Sequence, residues 1–159
     1  MDAVEKMEDD YNCEVFGGHL GERRVDMRIL IADDHELVRR GLRSLLASRS
    51  GWKVCGEARD GLEAVEKAKQ LRPDVVLLDI TMPELNGLDA ARLIRKDDPT
   101  MEIVILSLHD PREMSARALE AGARDYVSKS DVASGLLVAL EAIERDLRLK
   151  EPKRSGDVS

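Results

Sequence analysis

The sequence predicts an α/β fold: a single doubly wound sheet of five parallel strands with helices on both faces. Short apolar runs alternate five times along the chain with stretches in which apolar residues recur at helical spacing. The runs are apolar almost throughout, which is typical of parallel strands that are covered on both faces. With 159 residues, 43% of them hydrophobic, the chain has room for one such domain and its core.

The first two strands and their helices are predicted in the first half of the chain. Met27–Ala32 is apolar apart from one arginine, and leucines at helical spacing follow it. After a break at Gly51, residues 52–56 form the second apolar run. Asp60 opens the next helical stretch, and Pro73 ends it because proline interrupts a helix.

Three more strand–helix units complete the pattern. Residues 75–78 are the most apolar run and predict the third strand, whose helix ends before Pro99. Residues 103–106 predict the fourth strand. Asp110 followed by a proline is a favourable helix start, and Gly122 is a favourable helix end. The fifth strand is expected at 125–128, and Ser130 or Asp131 can cap a last helix that runs to about Lys150.

The two ends of the chain differ from this body. Residues 1–26 carry eight acidic and three basic side chains, so they hold most of the net charge of −7 and predict an acidic N-terminal extension. Residues 27–150 are expected to form the folded domain. Residues 151–159 are expected to be a C-terminal tail or a truncated linker.

Composition argues against several functional classes. The net charge of −7 and the 3% of aromatic residues disfavour a nucleic-acid-binding surface. No apolar run approaches the ~20 residues of a membrane helix, and the first residues lack a signal pattern. Cys13 and Cys55 form neither a disulfide framework nor a CxxC metal pair. The expectation is a cytoplasmic protein without a membrane or nucleic-acid partner in this chain.

Polar side chains follow four of the five predicted strands. Asp33 and Asp34 come after the first strand, Asp79 after the third, Ser107 after the fourth and Lys129 after the fifth. In an open parallel sheet, sites form where the carboxyl ends of the strands meet. A single aspartate at such a position is most often a helix cap, and Asp34 is also placed to cap the first helix. All five residues together indicate a site.

The chemistry of this set suits a phosphoryl group. Three crowded carboxylates repel one another unless a cation is present. Mg²⁺ prefers oxygen ligands, takes one or two protein carboxylates and keeps positions for a phosphate partner. Lys129 can neutralise a phosphoryl oxygen, and the Ser107 hydroxyl can donate a hydrogen bond to it.

The residues at these positions also resemble those of a known family. The segments ILIADDHELVRRGL, VVLLDITMPELNGLDAARLIR, IVILSLHD and ARDYVSKSD closely resemble the receiver domain of two-component response regulators. The first segment is most similar to receivers of LuxR-type, or NarL/FixJ-like, regulators, which precede a helix-turn-helix domain. The resemblance covers residues 27–145. It implies the flavodoxin-like (βα)5 receiver fold with strand order 2-1-3-4-5.

The resemblance assigns roles at the matching positions. It implies that Asp79 is the phosphoacceptor and that Asp33 and Asp34 hold Mg²⁺ together with Asp79 and the backbone carbonyl of Thr81. Lys129 matches the family's active-site lysine.

The same resemblance implies a switch. Ser107 takes the place of the switch serine or threonine, and Tyr126 matches the aromatic residue that changes rotamer. Pro83 and Gly87 match the turn after the third strand.

Some positions depart from the family pattern. Ser130, rather than a proline, follows Lys129, and Leu108 stands where a small residue is frequent, so its bulk is expected to narrow access for the phosphoryl group. Thr81, Leu108 and His109 occupy positions that tune the lifetime of the acyl phosphate.

The implied function is that of a signalling switch. A histidine kinase or phosphotransfer protein would be the partner, and the surface of helix 4, strand 5 and helix 5 would respond to phosphorylation. A homodimer is expected through that face or through helices 1 and 5. The chain is not expected to be an enzyme beyond its own phosphorylation and dephosphorylation.

Other functions fit the residues less well. A haloacid-dehalogenase-type phosphatase needs an aspartate where Thr81 stands. In a flavodoxin-like electron carrier, Asp33 and Asp34 would repel the flavin phosphate. Two alternatives stay open: a receiver-like binding module that is not phosphorylated, and the receiver half of a LuxR-type transcriptional regulator whose DNA-binding domain is absent from this chain.

Overall fold

The computed structural model describes residues 26–150, in which five strands and five α-helices alternate. The strands form one parallel sheet in the order β2-β1-β3-β4-β5. The predicted α/β class and the strand order implied by the resemblance are therefore confirmed. The tail at 151–159, and the acidic extension at 1–26 apart from Asp26, lie outside the described residues.

The elements follow the predicted pattern closely. They are β1 (Met27–Ala32), α1 (Glu36–Ala47), β2 (Trp52–Ala58), α2 (Gly61–Leu71), β3 (Val75–Asp79), α3 (Gly87–Asp97), β4 (Glu102–Ser107), α4 (Pro111–Glu120), β5 (Asp125–Ser128) and α5 (Val132–Lys150). A short 3₁₀ turn at Lys129–Asp131 precedes α5, and the helix starts at Val132, directly after Asp131, one of the two predicted cap positions. β2 is two residues longer than its apolar run because Glu57 and Ala58 still pair with β1.

The helix ends agree with their local chemistry. The Asp110 side chain accepts a hydrogen bond from the backbone N–H of Arg112 at the start of α4, as predicted. Gly122, just after α4, has a φ of 102°, a conformation that side chains disfavour. Asn86 caps α3 in the same way as Asp110 caps α4, a start that the sequence analysis did not identify.

Two apolar layers hold the helices against the sheet. On one face, Leu30, Val76 and Ile103 pack with residues of α2, α3 and α4. On the other face, Ile31 and Leu77 pack with residues of α1 and α5. All residues of β3 are buried, because the central strand is covered on both faces. Within residues 26–150, no helix combines the length and apolarity needed to span a membrane.

The β3–α3 loop folds back on the end of β3. The Gly87 N–H donates a hydrogen bond to the Ile80 carbonyl at 2.8 Å. A Cβ atom at Gly87 would lie 2.2 Å from the carbonyl oxygen of Asp79, so only glycine fits here without a backbone shift. This close approach fixes the loop beside the carboxyl end of the central strand.

Candidate functional site

The structure brings Asp33, Asp79 and Lys129 together at the carboxyl end of the sheet. Asp33 follows β1 and Asp79 ends β3, and these strands are neighbours at the point where the strand order reverses. Lys129 Nζ lies 2.6 Å from Asp33 Oδ2 and 3.2 Å from Asp79 Oδ1. The two carboxylates are 1% and 6% exposed and the lysine side chain is 14% exposed. An ammonium group therefore bridges two buried carboxylates.

Burial and charge shift the pKa of both bridged groups. Burial, together with the negative charge of Asp33, raises the pKa of Asp79 above its usual value, although Lys129 acts in the opposite direction. For Lys129, burial alone lowers the pKa, but the hydrogen bond to Asp33 and the charges of Asp79 and Asp33 outweigh burial and raise it. The lysine is thus charged at neutral pH and acts to lower the pKa of Asp79, against the effect of burial.

The acidic pair lies directly before α1 and its N-cap residue His35. Asp34 is exposed, and its Oδ1 lies 3.1 Å from His35 Nδ1. His35 Nδ1 is also 3.3 Å from Asp33 Oδ1, and the His35 backbone N–H donates to the same oxygen at 2.9 Å. The expectation that Asp34 caps the first helix is wrong, because the N-cap residue of α1 is His35. The sequence analysis did not predict this contact of His35.

The residues at this position fit a hard divalent cation. Within residues 26–150, one group of metal-binding atoms, from Asp33, Asp34 and His35, lies within 4.8 Å of one another. Asp79 adjoins this group through Lys129. Burial and, secondarily, the negative charge of Asp33 raise the pKa of Asp79, and a cation at this position would act against both effects. Carboxylate oxygens in this number are suitable ligands for Mg²⁺.

Two loops line the site beside Asp79. The backbone N–H of Thr81 donates a hydrogen bond to the Asp79 carboxylate and acts to lower its pKa. Thr81 Oγ1 lies 3.4 Å from His109 Nε2, so the two polar residues that were expected to tune the acyl phosphate contact each other. Leu108 is 77% exposed, and its bulk therefore does not fill the buried part of the site.

The residues expected to form the switch are connected through one peptide segment. Ser107 ends β4 beside β3 and is buried, and its Oγ accepts a hydrogen bond from the His109 N–H at 3.0 Å. The Tyr126 hydroxyl donates to the His109 carbonyl at 2.7 Å. The backbone N–H of His109 is thus hydrogen-bonded to Ser107 of β4, and its carbonyl is hydrogen-bonded to Tyr126 of β5.

The fold and the site together define a class of protein. A five-stranded doubly wound domain with buried aspartates and a lysine at the reversal point of its strand order belongs to the open α/β folds that bind ligands at this edge. The comparison with known families is more specific, since residues 29–141 match the response regulator receiver domain. The chain belongs to this family and is a receiver domain of a two-component response regulator.

Known relatives agree with this assignment. The chemotaxis protein CheY of Thermotoga maritima is 42% identical over 118 residues, which cover 74% of this chain and 98% of CheY. A LuxR-family response regulator from Aurantimonas sp. SI85-9A1 has a solved structure that is 39% identical, with a TM-score of 0.72 over 75% of this chain and 85% of that chain. The chain spans only about half (53%) of the length of some longer response regulators that it matches.

One further similar structure was solved as a complex with a partner protein and ions. CheY of Borrelia burgdorferi was crystallised in a complex with CheX, BeF₃ and Mg²⁺. It is 26% identical to this chain, with a TM-score of 0.71 over 76% of this chain and 90% of that chain.

Proposed function

We propose that this receiver domain accepts a phosphoryl group on Asp79 from a phosphohistidine of a histidine kinase or phosphotransfer protein. A carboxylate oxygen of Asp79 attacks the phosphorus, and an acyl phosphate forms. The phosphorus–nitrogen bond of the donor breaks, and the leaving imidazole keeps its electron pair. The observation that carries the proposal is the buried Asp79 carboxylate, bridged by Lys129 to Asp33 at the carboxyl end of the sheet.

Two positive charges beside Asp79 would offset the negative charge of the phosphoryl group. The carboxylates of Asp33, Asp34 and Asp79, with the backbone carbonyl of Thr81, would hold Mg²⁺. When bound, the ion offsets the negative charge of the phosphoryl oxygens. Lys129, which already contacts Asp79 at 3.2 Å, supplies the second positive charge. The Mg²⁺ and BeF₃ in the Borrelia burgdorferi CheY complex support this assignment by analogy.

Phosphorylation then acts on the connection through His109. The new phosphoryl oxygens accept a hydrogen bond from the Ser107 hydroxyl, which moves toward Asp79 and leaves the His109 N–H. In the unphosphorylated structure, the Tyr126 hydroxyl donates to the His109 carbonyl. This hydrogen bond is lost when the segment that contains His109 shifts. The ring of Tyr126 enters the space left beside β4. The surface of α4, β5 and α5 thereby changes with a local charge event.

One observation favours α1 and α5 as the homodimer face over α4, β5 and α5. A cavity of about 410 Å³ with mainly apolar walls lies between α1 and α5, lined by residues that include Val38, Leu45, Val132 and Ala133. A Cβ atom at Gly41 would meet nothing within 4 Å beyond its chain neighbours and the nearby helix backbone, so Gly41→Arg is a suitable way to add a charge to this face. Light scattering with beryllofluoride and Mg²⁺ should give a dimer for the wild type and a monomer for Gly41→Arg. A dimer that persists in the variant would assign the contact to the other face.

The proposal is tested by the mass of the intact protein after incubation with acetyl phosphate and Mg²⁺. The wild type should gain one phosphoryl group, and Asp79→Asn should gain none. Asp89→Asn, on the exposed side of α3, is the matched control and should react like the wild type. If the wild type stays unmodified with saturating donor, the domain is instead a binding module that is not phosphorylated.

A further inference from the structure

A buried arginine connects α1 with the carboxyl ends of β1 and β2. Arg39 lies in α1, and its side chain is only 10% exposed. Its Nη1 donates a hydrogen bond to the backbone carbonyl of Asp33 at 2.7 Å, and its Nε donates to Glu57 Oε1 at 2.8 Å. Because the guanidinium group is planar, one side chain fixes the direction of both hydrogen bonds at once.

This carbonyl belongs to the peptide unit between Asp33 and Asp34. The N–H of Asp33 on the other side donates to the Ala58 carbonyl at 3.0 Å. The backbone of the acidic pair is thus held from β2 and from α1. The direction of both carboxylates depends on this peptide plane, since the peptide joins their two Cα atoms.

Glu57 determines where the guanidinium group of Arg39 lies. Its carboxylate, 10% exposed, binds Arg39 through one oxygen and Arg43 through the other. Lys67 Nζ donates to the Glu57 backbone carbonyl at 2.7 Å. A carboxylate this deeply buried at the end of an edge strand needs such cationic partners. Arg39 additionally reaches Asp33.

We propose that Arg39, oriented by Glu57, is a positioning residue for the acidic pair. It holds the peptide between Asp33 and Asp34 so that both carboxylates point to the same cation position. This inference rests on the proposed function, because the cation position is the Mg²⁺ site of phosphoryl transfer. In this proposal, the ion pair of Arg39 and Glu57 orients the acidic pair in addition to joining α1 to β2.

The test compares two arginines that share one carboxylate. Arg39→Met removes the hydrogen bond to the Asp33 carbonyl and the contact with Glu57. Arg43→Met, one helical turn further along α1, removes a contact with Glu57 but leaves the bond from Arg39 to Asp33 in place.

Mg²⁺ affinity of the full chain is measured by calorimetry, and stability by urea unfolding in EDTA. We expect Arg39→Met to weaken Mg²⁺ binding about tenfold or more, as outer-shell partners of metal ligands do. Arg43→Met should stay within about twofold of the wild type.

Arg39→Lys separates positioning from charge. Lysine keeps the positive charge, but its single nitrogen cannot maintain the planar pair of hydrogen bonds. We expect it to remain weakened toward Mg²⁺, and this variant carries the test if Arg39→Met does not fold. The maximal rate of phosphorylation by acetyl phosphate at saturating Mg²⁺ should recover in Arg39→Lys, because the reacting groups are intact.

The outcomes are distinct. Wild-type affinity in Arg39→Met or Arg39→Lys would overturn the inference, and so would equal weakening in Arg43→Met, which would reduce Arg39 to a general stabilising role. A wild-type chain that binds no Mg²⁺ and takes no phosphoryl group would instead overturn the proposed function. Wild-type binding with selective loss in the Arg39 variants supports the inference.

Discussion

Replacing Lys129 by methionine leaves two buried carboxylates without the ammonium group between them. Lys129 contacts Asp33 at 2.6 Å and Asp79 at 3.2 Å, and all three side chains are at most 14% exposed. Removing one partner from a buried ion pair costs about 3–5 kcal/mol, because the remaining charge stays desolvated. Since the exposed Asp34 beside the pair gives water some access, we expect a loss of about 3 kcal/mol in the free energy of unfolding at pH 7.

The pH dependence of this loss follows from the pKa of Asp79. In the wild type, burial and the charge of Asp33 already raise the pKa of Asp79, and without Lys129 it must rise further. An acid whose pKa is higher in the folded than in the unfolded state destabilises the fold above the folded-state pKa. The cost disappears as the pH falls toward the unfolded-state value of about 3.9. The difference between Lys129→Met and the wild type should therefore shrink on acidification.

Urea unfolding in EDTA at pH 7 and at about pH 4 measures both effects. Lys53→Met is the matched control, because Lys53 is 53% exposed and pairs with Asp26 at 3.8 Å at the surface. The control should lose about 1 kcal/mol or less, with little dependence on pH. Equal stability of Lys129→Met and the wild type at pH 7, or a loss that is the same at both pH values, would refute the reasoning.

Three further predictions concern the metal site, the loop and the switch. Asp34→Ala should weaken Mg²⁺ binding in calorimetry by about tenfold or more. Its stability in EDTA should be unchanged or higher, because the substitution relieves carboxylate repulsion. Unchanged Mg²⁺ affinity would remove Asp34 from the metal site. Gly87→Ala should lower the free energy of unfolding by about 1–3 kcal/mol, because its Cβ would lie 2.2 Å from the Asp79 carbonyl oxygen; wild-type stability in urea would contradict this. Tyr126→Phe should increase amide exchange at residues 108–110 in the unphosphorylated protein, since the hydrogen bond to the His109 carbonyl is lost; wild-type exchange there would count against the proposed connection.

Much of the fold follows from the sequence because the strands are buried on both faces. The apolar runs at β1, β3 and β4 stand out, since each of these strands has two neighbours and helices on both sides. The apolar run of β2 ends two residues before the strand does, because Glu57 interrupts the run. Its charge is tolerated there only because Arg39 and Arg43 bind it, and an apolar pattern does not reveal that pairing.

The site could be predicted in part for a similar reason. The ends of parallel strands meet at one edge, so the positions of Asp33, Asp79 and Lys129 in the sequence predict their proximity. The contacts of His35 and Arg39 depend on how far a side chain reaches from the first turns of a helix. On an amphipathic helix Arg39 looks like a surface residue, and only the position of β2 makes it buried.

The most direct test of the account is to identify the phosphorylated residue chemically. The protein is incubated with acetyl phosphate and Mg²⁺, treated with borohydride, which reduces an aspartyl phosphate to homoserine, and digested for peptide mass spectrometry. The account predicts homoserine at position 79, dependent on Mg²⁺ and nearly abolished in Lys129→Met. Homoserine at position 33 or 34, or no homoserine in the peptide that contains Asp79, would contradict it.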